Sequence, residues 1–137
     1  MTRSSILGFA EPFAPGTSFG STGEYVRIKG IARGEVDPQL AANKVIVDID
    51  KAPRNGRGMV EYETDVFILM PKEPARGNGV LLYDVTNRGR KFWLHWLADA
   101  KATSPGAVND PRAKEHAGNG FGLDRGYTIV WSGWDPD

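Results

Sequence analysis

GVLLYDVTNRGRKFWLHWL, residues 79–97, is the stretch on which the reading of the fold turns. Val80, Leu81, Leu82, Tyr83 and Val85 make a near-continuous apolar run with almost no polar alternation, the pattern of a central strand covered on both faces. Asn87, Arg88 and Gly89 interrupt it with turn chemistry. From Phe92 the spacing changes, and Phe92, Trp93, Trp96 and Leu97 fall on one face of a helix. Open α/β sheets place their ligands where the carboxyl end of a strand opens through a loop onto a helix. Chemistry is therefore expected at Asn87 to Gly89.

Outward from this unit, toward the carboxyl end, residues 99–118 form a long polar passage, and Tyr127 to Trp131 is a second apolar strand. The separation of the two strands is ample for a parallel crossover, which needs about a dozen residues. Toward the amino end, Met59 to Met70 is the longest strand expected. Its first half alternates and its second half, Val66 to Met70, is apolar on both faces, so the strand enters the core from a wet edge. Asn55-Gly56 signals a turn before it. Val45 to Asp50 alternates cleanly and predicts another strand. Tyr25 to Arg33 predicts one more, with Val26 and Ile28 on one side, Arg27 and Lys29 on the other, and a bulge at Gly30. Residues 1–23, with Phe9, Phe13 and Phe19 spaced among prolines and glycines, read as an extended amino-terminal arm whose aromatics anchor it onto a sheet or partner, or as a partly disordered terminus. The remainder, 24–137, reads as one incomplete domain.

Composition narrows the function classes. With 40% hydrophobic and 25% charged residues the 137-residue chain is of ordinary globular make-up. Seventeen basic residues balance seventeen acidic ones, so no global field draws in nucleic acid or an anionic membrane. Without cysteine there is no disulfide framework and no thiolate chemistry. The apolar patch from Ile6 to Ala10 is too short for a signal peptide or a membrane span, and the cytoplasm is the default compartment, a trimmed leader leaving the same sequence.

Several constellations carry possible chemistry. Gly118 to Gly122, GNGFG, resembles a dinucleotide fingerprint, but such glycines must follow a strand and open a helix, and these precede a strand. His95 with Asp99 four residues on, and His116, read as structural or surface histidines, so neither metal nor cofactor is expected. Asp48 and Asp50 share a strand face and read as a solvated pair before a cation site. Arg88, Arg90 and Lys91 stand at the amino end of the expected helix, where a cation costs about 0.3–1 kcal/mol. Either the helix starts later, or the cluster faces an anion or acidic partner residues, or these are exposed bases on a loop. Ser4, Ser5, Ser18, Ser21, Ser104 and Ser132 offer no G-x-S-x-G elbow, so a serine nucleophile is missing.

FGSTGEYVRIKGIARGEVDP, IVDIDKAPRNGRGMVEYETDVFILMP, GNGVLLYDVTNRGRK and AGNGF with RGYTIVWSGW together resemble, in matching order over residues 19–134, the amino-terminal part of a family of large α/β-hydrolase domain proteins, serine-hydrolase-like and distantly similar to the cocaine-esterase type. The resemblance implies an α/β fold: a partial hydrolase-type sheet of mostly antiparallel amino-terminal strands followed by one β-α-β crossover. It makes Met59 to Met70 and Gly79 to Val85 early strands, and Tyr127 to Trp131 the parallel strand laid down next. It puts Asn87, Arg88 and Gly89 where such folds supply an oxyanion-hole donor, with Arg88, Arg90 and Lys91 as anion-binding candidates. The nucleophile, acid and histidine would lie beyond Asp137. The expected function is the amino-terminal portion of an ester-hydrolase-like protein, inactive alone. The alternative is a free-standing β-rich binding or interaction module. The expected partners are a missing carboxyl-terminal catalytic portion or a second copy, joined through an open Tyr127–Trp131 edge or the Trp-rich helix face.

Overall fold

Long runs with two-residue periodicity dominate the first half of the chain, and they fold as strands; Pro12 is accommodated because β1 is an edge strand. The computed structural model describes residues 4–101 and 109–133. The middle of the polar passage and the end of the WSGW segment lie outside these. Strands β1 (Ser4–Phe13), β2 (Tyr25–Val36), β3 (Val60–Pro71), β4 (Leu81–Tyr83) and β5 (Thr128–Ser132) form one sheet in the order β1-β2-β3-β5-β4. All neighbours are antiparallel except β4 and β5, which are parallel. The fold is thus mostly β, with one parallel pair and a few short helical turns, and the expected order of antiparallel strands followed by a parallel crossover is met. Among its described residues the crossover, 84–127, holds only single turns: a π-turn at Trp93–Leu97, a 3-10 turn at Lys114–Ala117 and α1 at Phe121–Asp124.

The register puts Phe13, Tyr25, Leu69, Phe67, Ile129, Trp131 and Leu82 on one face of the sheet. This face packs against Phe19, Trp93, Leu94 and Leu123 from the connecting segments to make the core. Arg27 lies on it as well, 4% exposed, and is tolerated because its guanidinium is paired with Glu11 and, at 2.8 Å, with Asp110. The Tyr25 hydroxyl reaches the carbonyls of Leu123 (3.1 Å) and Tyr127 (3.0 Å), tying β2 to the start of β5.

Five expectations need correction. The run from Val80 to Val85 is not a central strand: β4 is a three-residue edge strand, and Val80, Leu81, Tyr83 and Val85 are exposed. The reason is the strand order, which inserts β5 between β3 and β4. For the same reason Tyr127 to Trp131 is not an open edge, since β5 is paired on both sides and the outer strands are β1 and β4.

Val45 to Asp50 is not a strand. Asp37 accepts a hydrogen bond from the Gln39 N–H, and its carbonyl takes one from the Asn43 amide, each at 2.8 Å. A 3-10 turn at Ala41–Val45 follows, and local bonds continue it from Ile46 to Asn43, Ile49 to Ile46 and Lys51 to Asp48. These satisfy the backbone without a neighbouring strand, and of the alternating apolar residues only Ile49 is buried.

The helix is one π-turn rather than an amphipathic helix. Its closing bond runs from the Ala98 N–H to the Trp93 carbonyl, and Asp99, at φ 54°, turns the chain away. The wider turn buries Trp93 and Leu94 and leaves Trp96 72% exposed. Nor is there a bulge at Gly30. The pairing with Gly8 and Val66 continues through it without a break, and a Cβ there would lie 2.2 Å from the Leu7 carbonyl oxygen. Close approach of β1 explains this glycine. The stretch read as an arm supplies β1, paired along its whole length with β2, and Phe13 and Phe19 are buried.

Candidate functional site

The parallel pair places two strand ends side by side. The Asp84 N–H extends the β4–β5 ladder by donating to the Val130 carbonyl at 3.0 Å. Its carboxylate then accepts the Trp93 N–H at 2.8 Å and the Trp131 indole N–H. One acidic residue thus fixes the crossover's first turn and a core tryptophan together. Thr86 donates its hydroxyl to the Ser132 carbonyl at 2.8 Å, and the Gly133 N–H donates to the Asp65 carbonyl at 2.7 Å. These bonds hold the ends of β4, β5 and β3 around a cleft of about 240 Å³. Phe67, Trp131, Thr86, Gly89, Lys91 and Ser132 contribute to its walls. It lies outside the carboxyl ends of parallel strands, as ligand crevices of open α/β sheets do.

The turn rimming this cleft is tight. Asn87 and Arg90 exchange backbone hydrogen bonds of 3.3 and 3.1 Å, and Arg88 and Gly89 between them have φ of 51° and 73°. Two successive positive φ values are the signature of a two-residue hairpin turn, in which glycine carries the second position without steric cost. Asn87, Arg88 and Arg90 are exposed on it, while Gly89 borders the cleft.

Lys91 departs from the other two bases of its cluster. Its N–H donates to the Asn109 side chain at 3.0 Å, and its ammonium donates to the Asn109 carbonyl. The Nζ atom lies 4.6 Å from the centre of the Phe67 ring and 5.9 Å from that of Trp131. Burial lowers its pKa to about 8; the nearby Lys29 charge adds to this, while Asp110, Asp65 and Asp84 oppose it. Burial also pushes the Asp110 carboxyl up, but the Arg112 hydrogen bond and the charges of Arg27, Arg112 and Lys29 outweigh it and hold that pKa below its ordinary value.

The structure therefore brings Gly89 and Lys91 to the cleft and leaves Asn87, Arg88 and Arg90 on the exposed turn. His116 is buried, and its Nδ1 accepts the Arg112 and Ala113 N–H groups at 2.9 and 3.2 Å, an internal cap of that loop. His95 is exposed against Trp96. Asp48 pairs with Lys51 at 2.7 Å in a solvated turn. Among the described residues no group of three or more His, Cys, Asp or Glu side chains is placed to hold a metal ion, and no helix is long and apolar enough to cross a membrane. The GNGFG glycines are explained by packing: a Cβ on Gly122 would stand 2.1 Å from the Trp93 ring.

Sequence reasoning missed Asp84, Thr86, Phe67 and Asn109 as parts of the site. Asp84 had a signal, being the one charge in an otherwise apolar run. The others are joined to the turn only by strand order. No family model, no curated protein and no solved structure matches this chain.

Proposed function

We propose that this chain is the amino-terminal portion of an α/β-hydrolase-like protein of the ester-hydrolase type, contributing the oxyanion side of a cleft whose nucleophile comes from elsewhere. The observation that carries the reading is the parallel β4–β5 pair, whose carboxyl ends open onto a cleft bordered by Gly89 of the Asn87–Arg90 turn. An acyl-transfer site needs donors aimed at the oxygen that becomes negative, and a strand-end turn of this kind presents them. Asn87, Arg88 and Gly89 are the proposed donor group, and Arg88, Arg90 and Lys91 supply the positive field around it.

The sheet's other face supports the same reading. Ile6, Tyr62, Leu81 and Tyr83 are exposed on it, beside half-buried Val26, Ile28, Ile68, Met70 and Val130. A doubly wound sheet covers both faces with helices, and in this reading the remainder of the hydrolase-like protein supplies that cover. Alone, the chain self-associates through the bare face, and it hydrolyses no aryl ester faster than an unfolded control.

The coding sequence downstream of Asp137 tests the reading. An open frame running on to a G-x-S-x-G segment supports it. A stop with no such segment overturns it in favour of a free-standing binding module.

A further inference from the structure

Lys91 is an amine in an unusual place for a lysine. Most lysines keep the ammonium in water and bury only the stem, whereas here the Nζ atom is turned inward, between the Phe67 and Trp131 rings and the Asn109 carbonyl. The charged groups around it come from four elements: Lys29 of β2, Asp65 of β3, Asp84 after β4, and Asp110 in the loop before Arg112. Two aromatic walls, a hydroxyl at Thr86 and an open mouth at Gly89 complete the surroundings. At about 240 Å³ the cleft is smaller than the roughly 300–1,000 Å³ of pockets for drug-sized ligands, so only a small molecule fits.

We propose that the ε-amine of Lys91 is a carbonyl-reactive nucleophile that takes a small aldehyde into this cleft as a Schiff base. The chemistry needs no oxidant or metal. The nitrogen lone pair of the free amine adds to the carbonyl carbon, and the carbonyl oxygen gains the proton that the nitrogen loses. The resulting carbinolamine expels its oxygen as water, leaving a carbon–nitrogen double bond. One amine and one aldehyde give one imine and one water. Desolvation is the usual means by which a protein frees a lysine amine for such a step. At pH 8 about half of an amine with a pKa of about 8 is free base, against about one in three hundred at the ordinary 10.5. This inference uses only the cleft and stands whether or not the hydrolase reading does.

The test is reductive trapping of the intact chain with benzaldehyde and cyanoborohydride at pH 8, with adduct sites mapped by peptide mass spectrometry. The hydride adds to the imine carbon and fixes a benzyl group on the nitrogen. Lys91 is expected to label at least about tenfold faster than exposed Lys44 and Lys51, part of the free-base advantage being lost to its lower basicity. Its rate is expected to saturate with benzaldehyde. Lys91→Arg, which keeps the charge over the rings and so the fold, removes the fast phase and leaves the slow labelling unchanged. Labelling of Lys91 no faster than of Lys44, or a rate that rises linearly with benzaldehyde without saturation, overturns the proposal.

Discussion

The two faces of this sheet are made from the same strands and have opposite fates. On one, Tyr25, Leu69, Ile129 and Trp131 are sealed by the loops and turns of residues 14–23, 84–101 and 109–127. On the other, Ile28, Ile68 and Val130 lie half-buried and Tyr62, Leu81 and Tyr83 are exposed. Residue type does not separate them, since the sealed face accepts an arginine at position 27 while valine and isoleucine flank it on the bare one. What separates them is which side the crossover takes. A segment that passes over one face supplies Trp93, Leu94 and Leu123 there. Alternation in a strand reveals that two faces exist; the covered one is chosen by the connections.

The largest expected difference is between one tryptophan and one tyrosine. Trp131 is 1% exposed, packs edge-on to Phe67 at 5.8 Å and donates its indole N–H to Asp84. Trp131→Ala is expected to cost about 3–5 kcal/mol. Tyr83→Ala, on the bare face, is expected to cost under about 1 kcal/mol. Urea titrations at low and high protein concentration check both. Equal losses would show that the bare face is covered in solution.

Next in size is Arg27, the buried cation of β2. Arg27→Met keeps the stem's packing but strands Glu11 and leaves Asp110 with Arg112 alone, both carboxylates being partly exposed. Because water reaches those carboxylates, the loss is expected at about 2–3 kcal/mol, below the full cost of breaking a buried pair. A double-mutant cycle with Asp110→Asn measures the coupling. Additive losses would mean that the guanidinium is held by packing alone.

The strand pattern of β2, β3 and β5 was legible in sequence because two-residue periodicity and apolar runs are local signals. The failures came from competing local turn bonds and from chain topology. Val45 to Asp50 has strand periodicity, yet Asp37 and the 3-10 turn satisfy its backbone first. The run around Leu81 has the composition of a central strand, and only the insertion of β5 beside β3 makes it an edge. For the site, the turn at Asn87–Arg90 was visible as turn chemistry, and Lys91 as one of a basic cluster. That Lys91 alone turns inward depends on Phe67, Trp131 and Asn109, which chain topology brings to it from distant positions.

The sealed face also predicts an alkaline signature. Lys91 has a folded pKa of about 8 against an ordinary 10.5, so between these values the unfolded chain binds more protons than the folded one. Stability from this group therefore rises with pH across that window, by about 1–2 kcal/mol after allowance for its partial exposure. Tyr25 acts in the opposite sense. Burial, with the Asp124 charge, raises its pKa, so its contribution is intact below 10 and declines above it as the unfolded phenol ionises. Lys91→Met is expected to flatten the rise between pH 8 and 10 and to leave the decline above 10 in place. Unchanged pH dependence in that variant would place the ammonium in water.

The smallest effect is expected at the residue whose spacing most suggested burial. Trp96 stands four residues after Phe92 and would share a helix face with it, and a buried tryptophan there would cost about 3–5 kcal/mol to remove. The π-turn instead directs it outward, 72% exposed, with edge-on contacts to Phe92 at 6.4 Å and His95 at 5.6 Å as its ring partners. Such pairs are worth about 0.5–1.5 kcal/mol when well packed and less when water surrounds them. Trp96→Ala is therefore expected to lower stability by no more than about 1 kcal/mol, and to leave near-ultraviolet dichroism from Trp93 and Trp131 unchanged. Thermal melts at two protein concentrations decide the matter. A loss near that of Trp131→Ala at both concentrations would restore the amphipathic helix, whereas a loss confined to high concentration would make Trp96 a contact between copies.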